Sequence, residues 1–140
     1  MPLPTDLFVD TSFWFAAMVA KDVNHERAGE LLEEAAVAAS RFHTTREVMS
    51  ETLTLLRYRD GARSALLFAR DIVPTVEMVV PDSTDHAAAL EVFRRLAPRR
   101  RLSYCDAVSF VIVRQRLGDM ACLAFDRDFR TLGLTVLASC

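Results

Sequence analysis

Leu7-Phe8-Val9-Asp10-Thr11-Ser12-Phe13-Trp14-Phe15-Ala16-Ala17-Met18-Val19-Ala20 is the stretch whose reading decides the fold. Three apolar residues in a row, with no polar alternation, describe a strand buried on both faces, which belongs in a parallel sheet covered by helices. Asp10 stops the run, and Thr11 to Ala20 reads as a helix that begins at once. A strand leading straight into a helix is the first half of a βαβ unit.

The remainder of the chain repeats that alternation. Asn24 to Ala39 carries Ala28, Leu31, Leu32 and Ala35 at helical spacing. Phe42-His43-Thr44 reads as a second short strand, and Thr45 to Tyr58 as a helix, with Gly61 at its end or in the turn after it. A further helix covers Arg63 to Ile72, before Pro74, and Met78-Val79-Val80 makes a third strand closed by Pro81. Helices over Ser83–Leu96 and Ser103–Leu117, then strands over Met120–Phe125 and Leu134–Leu137, complete the reading. The expected fold is α/β: one domain spanning 1–140, a three-layer α/β/α sandwich around a central, mostly parallel sheet of about five strands. Open sheets of this kind place their sites beyond the carboxyl ends of the strands, where strand order reverses.

Composition narrows the function classes. The chain has 140 residues, 51% hydrophobic and 26% charged, a globular balance with few Gly (4) and Pro (5). The longest uncharged apolar run, Phe13 to Ala20, is far short of the ~20 residues of a membrane span. No basic start followed by a hydrophobic stretch suggests a secretory signal, so a cytoplasmic protein without membrane contact is expected. Net charge is −2, against a protein that merely coats nucleic acid. One local bias stands out: Arg94, Arg95, Arg99, Arg100 and Arg101 cluster in a chain whose only lysine is Lys21. Cys105, Cys122 and Cys140 lack CxxC spacing and read as reduced packing residues.

Four acidic residues fall where the sheet rim would be. Asp10 directly follows the first strand, where it could equally cap the next helix. Glu51 competes with Glu47. Thr44 with Glu47 three residues on is a capping-box pattern, which assigns Glu47 to the helix start, while Glu51 lies a turn further in beside Val48 and Leu55. Asp106 sits on the apolar stripe of its helix without a helical basic partner, and burying an unpaired carboxylate costs several kcal/mol. A metal ion, a distant arginine or backbone donors must compensate. Asp126 ends the fourth strand, with Asp128 a nearby competitor, whereas Asp85 and Glu91 read as solvated surface. Like carboxylates within ~4 Å repel by about 4 kcal/mol per pair at an effective dielectric of 20, so such a rim calls for a divalent cation. His25, His43 and His86 have no zinc-ligand spacing, whereas all-oxygen ligands suit Mg²⁺ or Mn²⁺ and phosphodiester hydrolysis.

Val9-Asp10-Thr11-Ser12, Thr44-Thr45 followed by Val48 and Glu51, Leu102-Ser103-Tyr104-Cys105-Asp106-Ala107, and Phe125-Asp126-Arg127-Asp128-Phe129 occur in an order and spacing that resemble the PIN-domain ribonucleases, specifically the VapC-type toxins of bacterial toxin–antitoxin pairs. The resemblance covers nearly the whole chain. It implies a Mg²⁺- or Mn²⁺-dependent endoribonuclease. Asp10 and Asp106 would be the direct metal ligands, with Glu51 the third and Asp126 the fourth acidic residue. Thr11 or Ser12 would support the metal shell or orient Asp10, and Asp128 could share the work of Asp126. It also implies a homodimer and an antitoxin partner. The family often places Thr or Ser two residues before the last acidic position, where this chain has Ala124. Arg99, Arg100 and Arg101 are the expected contacts to the RNA backbone. Two other readings compete: a non-catalytic PIN-like binding module, and a HAD-type phosphatase, which would want Asp where Ser12 stands.

Overall fold

The structure is a computed structural model that describes residues 2–138. The elements run β1 (Asp6–Val9), α1 (Thr11–Met18), α2 (His25–Val37), β2 (Arg41–Thr45), α3 (Arg46–Arg59), α4 (Ala62–Asp71), a 3₁₀ turn (Val73–Thr75), β3 (Glu77–Val79), α5 (Ser83–Leu96), α6 (Tyr104–Gln115), β4 (Cys122–Leu123) and α7 (Arg127–Arg130). Every strand pairing is parallel, and the order is β3-β2-β1-β4. The α/β class and the parallel sheet flanked by helices are as the sequence predicts.

The carboxyl-terminal part of the sheet is smaller than expected. The apolar run Met120–Phe125 yields only the two-residue β4, and the expected fifth strand contributes one parallel bridge, Val136 to Cys122. The Cys122 N–H donates to the Thr135 carbonyl at 2.8 Å, and the Leu137 N–H donates to the Cys122 carbonyl at 2.9 Å. Ala124, Phe125, Leu134 and Ala138 are buried without joining a ladder. An apolar run reports burial, and here loops do the burying.

Leu7, Phe8 and Val9 of β1 are wholly buried at the centre of the core. Helix α1 packs through aromatic contacts on β2, α4 and the segment after β4. Phe13 stacks on Phe125 (5.7 Å between centroids, 10° between planes), and Trp14 meets Phe42 and Phe68 edge-on. Of the α2 stripe expected from its spacing, Ala28, Leu31 and Ala35 are buried and Leu32 is half-buried. Between α3 and α4 the chain turns at Gly61, whose φ of 105° is a conformation that only glycine adopts without strain.

Two local expectations are corrected. The N-cap of α3 is Thr45, whose Oγ1 accepts from the Val48 N–H at 3.1 Å. Thr44 is one residue too early and instead donates its hydroxyl to the Val9 carbonyl at 3.1 Å, tying β2 to the end of β1. Glu47 therefore closes no capping box, and its Oε2 lies 2.5 Å from His86 Nε2 on α5. Asp85 is buried rather than solvated. It closes a capping box with Asp82 at the start of α5 and takes a hydrogen bond from Arg116 Nε at 3.0 Å, whereas Glu91 is exposed and pairs with Arg94. Cys105 and Cys122 are free and buried as expected, and Cys140 lies outside the described residues.

Candidate active site at the carboxyl rim of the sheet

Strand order reverses at β1: β2 lies on one side and β4 on the other. Asp10 follows β1 and Asp126 follows β4, so both stand at the switch point where open parallel sheets form their sites. Asp10, Glu51, Asp106, Asp126 and Asp128 all line one cleft of about 520 Å³. Four separate chain segments supply them.

Asp10 is buried and uses its two oxygens differently. Its Oδ2 accepts from the Ser12 backbone N–H at 3.1 Å and from the Ser12 hydroxyl at 2.7 Å, capping α1. Its Oδ1 is buried without any hydrogen-bond partner. Burial, then the charges of Asp106 and Glu51, push the carboxyl up to about 7 against the Ser12 bonds, so the ionised form is poorly supported. Asp106 is also buried and occupies the third position of α6, in a capping box. Its Oδ2 accepts from the Ser103 N–H at 3.0 Å, while its own N–H donates to Ser103 Oγ at 3.0 Å. Burial raises it to about 6, with Asp126 and Glu51 adding to the shift and the Ser103 bonds opposing it. Asp126 caps α7, its Oδ1 accepting from the Asp128 N–H at 2.9 Å.

Ser12 holds the corner together. Besides donating to Asp10, its Oγ accepts from the backbone N–H groups of Phe125 at 2.9 Å and Asp126 at 3.2 Å. The segment after Ala124 is thus held through its backbone by Ser12. Thr11 also lines the cleft, but its hydroxyl is turned to α3, 3.4 Å from the Val48 carbonyl.

This donor set fits a hard divalent cation. The ligands on offer are all oxygen, the carboxylates repel one another, and the orphaned Asp10 Oδ1 lacks the positive partner that a buried charge requires. Among the described residues no three His, Cys, Asp or Glu side chains are gathered closely enough to hold a metal ion by themselves. A cation that keeps several of its waters matches that openness, as Mg²⁺ does.

The PIN-domain family model matches residues 7–133. The chain belongs to the PIN-domain family. Among curated relatives, the 23S rRNA-specific endonuclease VapC20 of Mycobacterium tuberculosis is 34% identical over 127 residues, 91% of this chain and 94% of that protein. A VapC ribonuclease of Archaeoglobus fulgidus is 28% identical over 108 residues, 76% of this chain and 69% of that protein. The crystal structure of the M. tuberculosis VapC20 toxin, described as cleaving the sarcin–ricin loop, superposes with a TM-score of 0.79 at 33% identity, covering 92% of this chain and 96% of that one. FitAcB of Neisseria gonorrhoeae, with a TM-score of 0.67 at 10% identity over 94% and 96% of the two chains, shares the fold.

In this PIN domain the arginine cluster divides. Arg101 lines the acidic cleft. Arg100 donates from Nη1 to the Thr131 carbonyl at 2.7 Å, and Arg99 is exposed and does not line the cleft. Sequence reasoning passed over Asp22, Asn24 and Arg59, which also line it. Asp22 and Asn24 form a turn between α1 and α2, where Asp22 Oδ1 accepts from the Asn24 N–H at 2.8 Å, and turn chemistry gave no reason to place it at the rim. Arg59 did carry a signal: it lies four residues beyond Leu55 and eight beyond Glu51, on one helix face.

Proposed function

We propose that this PIN domain is a metal-dependent endoribonuclease, hydrolysing RNA phosphodiester bonds at the acidic cleft as the toxin of a toxin–antitoxin pair. The observation that carries the reading is the buried, unpartnered Oδ1 of Asp10 beside Asp106, in a cleft whose other acids add to the repulsion. Asp10 and Asp106 would hold Mg²⁺ or Mn²⁺, with Glu51 and Asp126 completing the acidic set and Asp128 beside them. When bound there, a divalent cation would offset the charge of the scissile phosphate and lower the pKa of a water so that a hydroxide nucleophile is available at neutral pH. The protein's own part is positional. Ser12 and Ser103 each fix one oxygen of their aspartate by hydrogen bonds. Ser12 also keeps the Asp126 segment against Asp10.

Arg101, which lines the same cleft, would take a phosphate oxygen, with Arg99 and Arg100 beside it in sequence. The endonuclease, ribonuclease and toxin names of the relatives support this assignment, and ribosomal RNA is the substrate class that VapC20 suggests. A cognate antitoxin, a homodimer and a cytoplasmic location belong to the same reading. Among the described residues no helix is long and apolar enough to cross a membrane.

The test is incubation of the purified chain with total RNA in Mg²⁺, in Mn²⁺ and in EDTA. Discrete cleavage products are expected with either metal and none in EDTA. Asp10→Asn and Asp106→Asn should each abolish cleavage while circular dichroism stays native. Wild-type cleavage by either variant at saturating Mg²⁺ would overturn the assignment.

A further inference from the structure

Arg59 is the last residue of α3, and Glu51, Leu55 and Arg59 all line the cleft from one helix face. A rise of 1.5 Å per residue sets Arg59 about 12 Å beyond Glu51 along the helix axis. Arg101 enters the same cleft from the segment before α6, two residues ahead of Ser103. Both arginines are exposed. Among the described residues neither forms an ion pair or a side-chain hydrogen bond, although the cleft they share is rich in carboxylates. Arg27, Arg94 and Arg116 pair with acids and Arg100, Arg114 and Arg130 donate to carbonyls, while Arg46, Arg63, Arg95, Arg99 and Arg127 share the lack of such partners but do not line the cleft. Unpaired surface arginines are ordinary, but two at the border of an acidic cleft are placed where a polyanion must be held against repulsion.

We infer that Arg59 is a positioning residue for the substrate: it grips an RNA phosphate remote from the scissile one, so that the strand is laid between the end of α3 and Arg101 across Asp10 and Asp106. This rests on the ribonuclease reading. The offset of about 12 Å from Glu51 is what makes the gripped phosphate a flanking one. A guanidinium fork suits two phosphate oxygens, and the contact carries no base information. Arg59 thus contributes to binding in the ground and transition states alike, which predicts an effect on KM and not on kcat.

The experiment compares wild type, Arg59→Ala, Arg59→Lys and Arg70→Ala, the last removing an exposed charge at the far end of α4, away from the cleft. Binding of a mixed-sequence single-stranded RNA is measured by fluorescence anisotropy in Ca²⁺ across a salt series, and cleavage kinetics in Mg²⁺. Arg59→Ala should lower the log–log salt slope by about 0.7, the value for one single-strand phosphate contact. It should raise KM several-fold with kcat within about twofold and cut positions unchanged. Arg59→Lys should restore the slope, and Arg70→Ala should leave both slope and KM at wild-type values. An Arg59→Ala slope equal to wild type, or a fall in kcat with KM unmoved, would overturn the proposal while leaving the ribonuclease reading intact. A wild-type chain that neither bound nor cut RNA would sink that reading and this proposal with it.

Discussion

Asp10 divides its two oxygens between two jobs, and that division explains why a plain capping role and a site role need not compete. Oδ2 is bound by Ser12, while Oδ1 points into buried space with no donor. Asp106 likewise has its Oδ2 bound by the Ser103 N–H at the start of α6. A consequence is pH-dependent stability of the metal-free chain. Folding raises Asp10 from an ordinary 3.8 to about 7 and Asp106 to about 6, because burial and neighbouring acids disfavour the charged form. A carboxyl raised on folding stabilises the native state fully below its unfolded value, and that contribution is lost as pH rises through the folded one. In EDTA the melting temperature should therefore be lower at pH 8 than at pH 5, with Asp10→Asn flattening the fall. Differential scanning fluorimetry over that range checks this, and a wild-type chain that melts higher at pH 8 contradicts it. Ser12→Ala should weaken cleavage more than it weakens folding, since the hydroxyl joins Asp10 to the Phe125–Asp126 backbone. Its kcat and its melting curve measure the two effects. The identities of Asp10, Glu51, Asp106 and Asp126 were readable in the sequence. The orphaned oxygen was not, because it depends on what surrounds Oδ1 in space.

At the scale of elements, α3 shows how one helix separates two similar side chains. Glu47 meets His86 on α5, whereas Glu51, one turn further along the same face, lines the cleft. Glu51→Gln should reduce cleavage strongly with little change in melting temperature. Glu47→Gln should leave activity intact and cost about 1 kcal/mol, a value kept low because the His86 pair is partly exposed. Urea unfolding and RNA cleavage of the two variants give the comparison, and exchanged phenotypes would refute the two assignments. The capping error at this helix has a physical origin. Thr44 and Thr45 are both competent caps by residue type, and only β2, which runs to Thr45 in register with Val79, decides which one leaves the strand last. Asp85 was misjudged for a related reason. Its polarity suggests solvent, but Arg116, 31 residues away on the neighbouring helix, supplies the partner that lets it be buried.

For the whole molecule, the sheet order β3-β2-β1-β4 gathers the acids, and a cation that neutralises them should stabilise the fold. Mn²⁺ at about 100 times its dissociation constant should add roughly 2.7 kcal/mol. That corresponds to a rise in melting temperature of several degrees for the wild type at pH 8, and little or none for Asp10→Asn. An equal rise in both would show that the ion binds elsewhere. The sequence alone determined the alternation of buried strands and amphipathic helices, because Leu7-Phe8-Val9 and the stripe Ala28, Leu31, Ala35 record burial period by period. It also determined which acids follow strands, since Asp10 and Asp126 end apolar runs. Only the tertiary structure decided that β4 is two residues long, that Ser12 rather than Thr11 holds Asp10, that Arg59 and Arg101 share a cleft while Arg100 is tied to Thr131, and that Glu47 belongs to His86. Apart from the Asp10–Ser12 cap, each of these rests on contacts between residues distant in the chain. Local propensity shows where a side chain prefers solvent or core, whereas its partner is chosen by the three-dimensional packing of all the elements together.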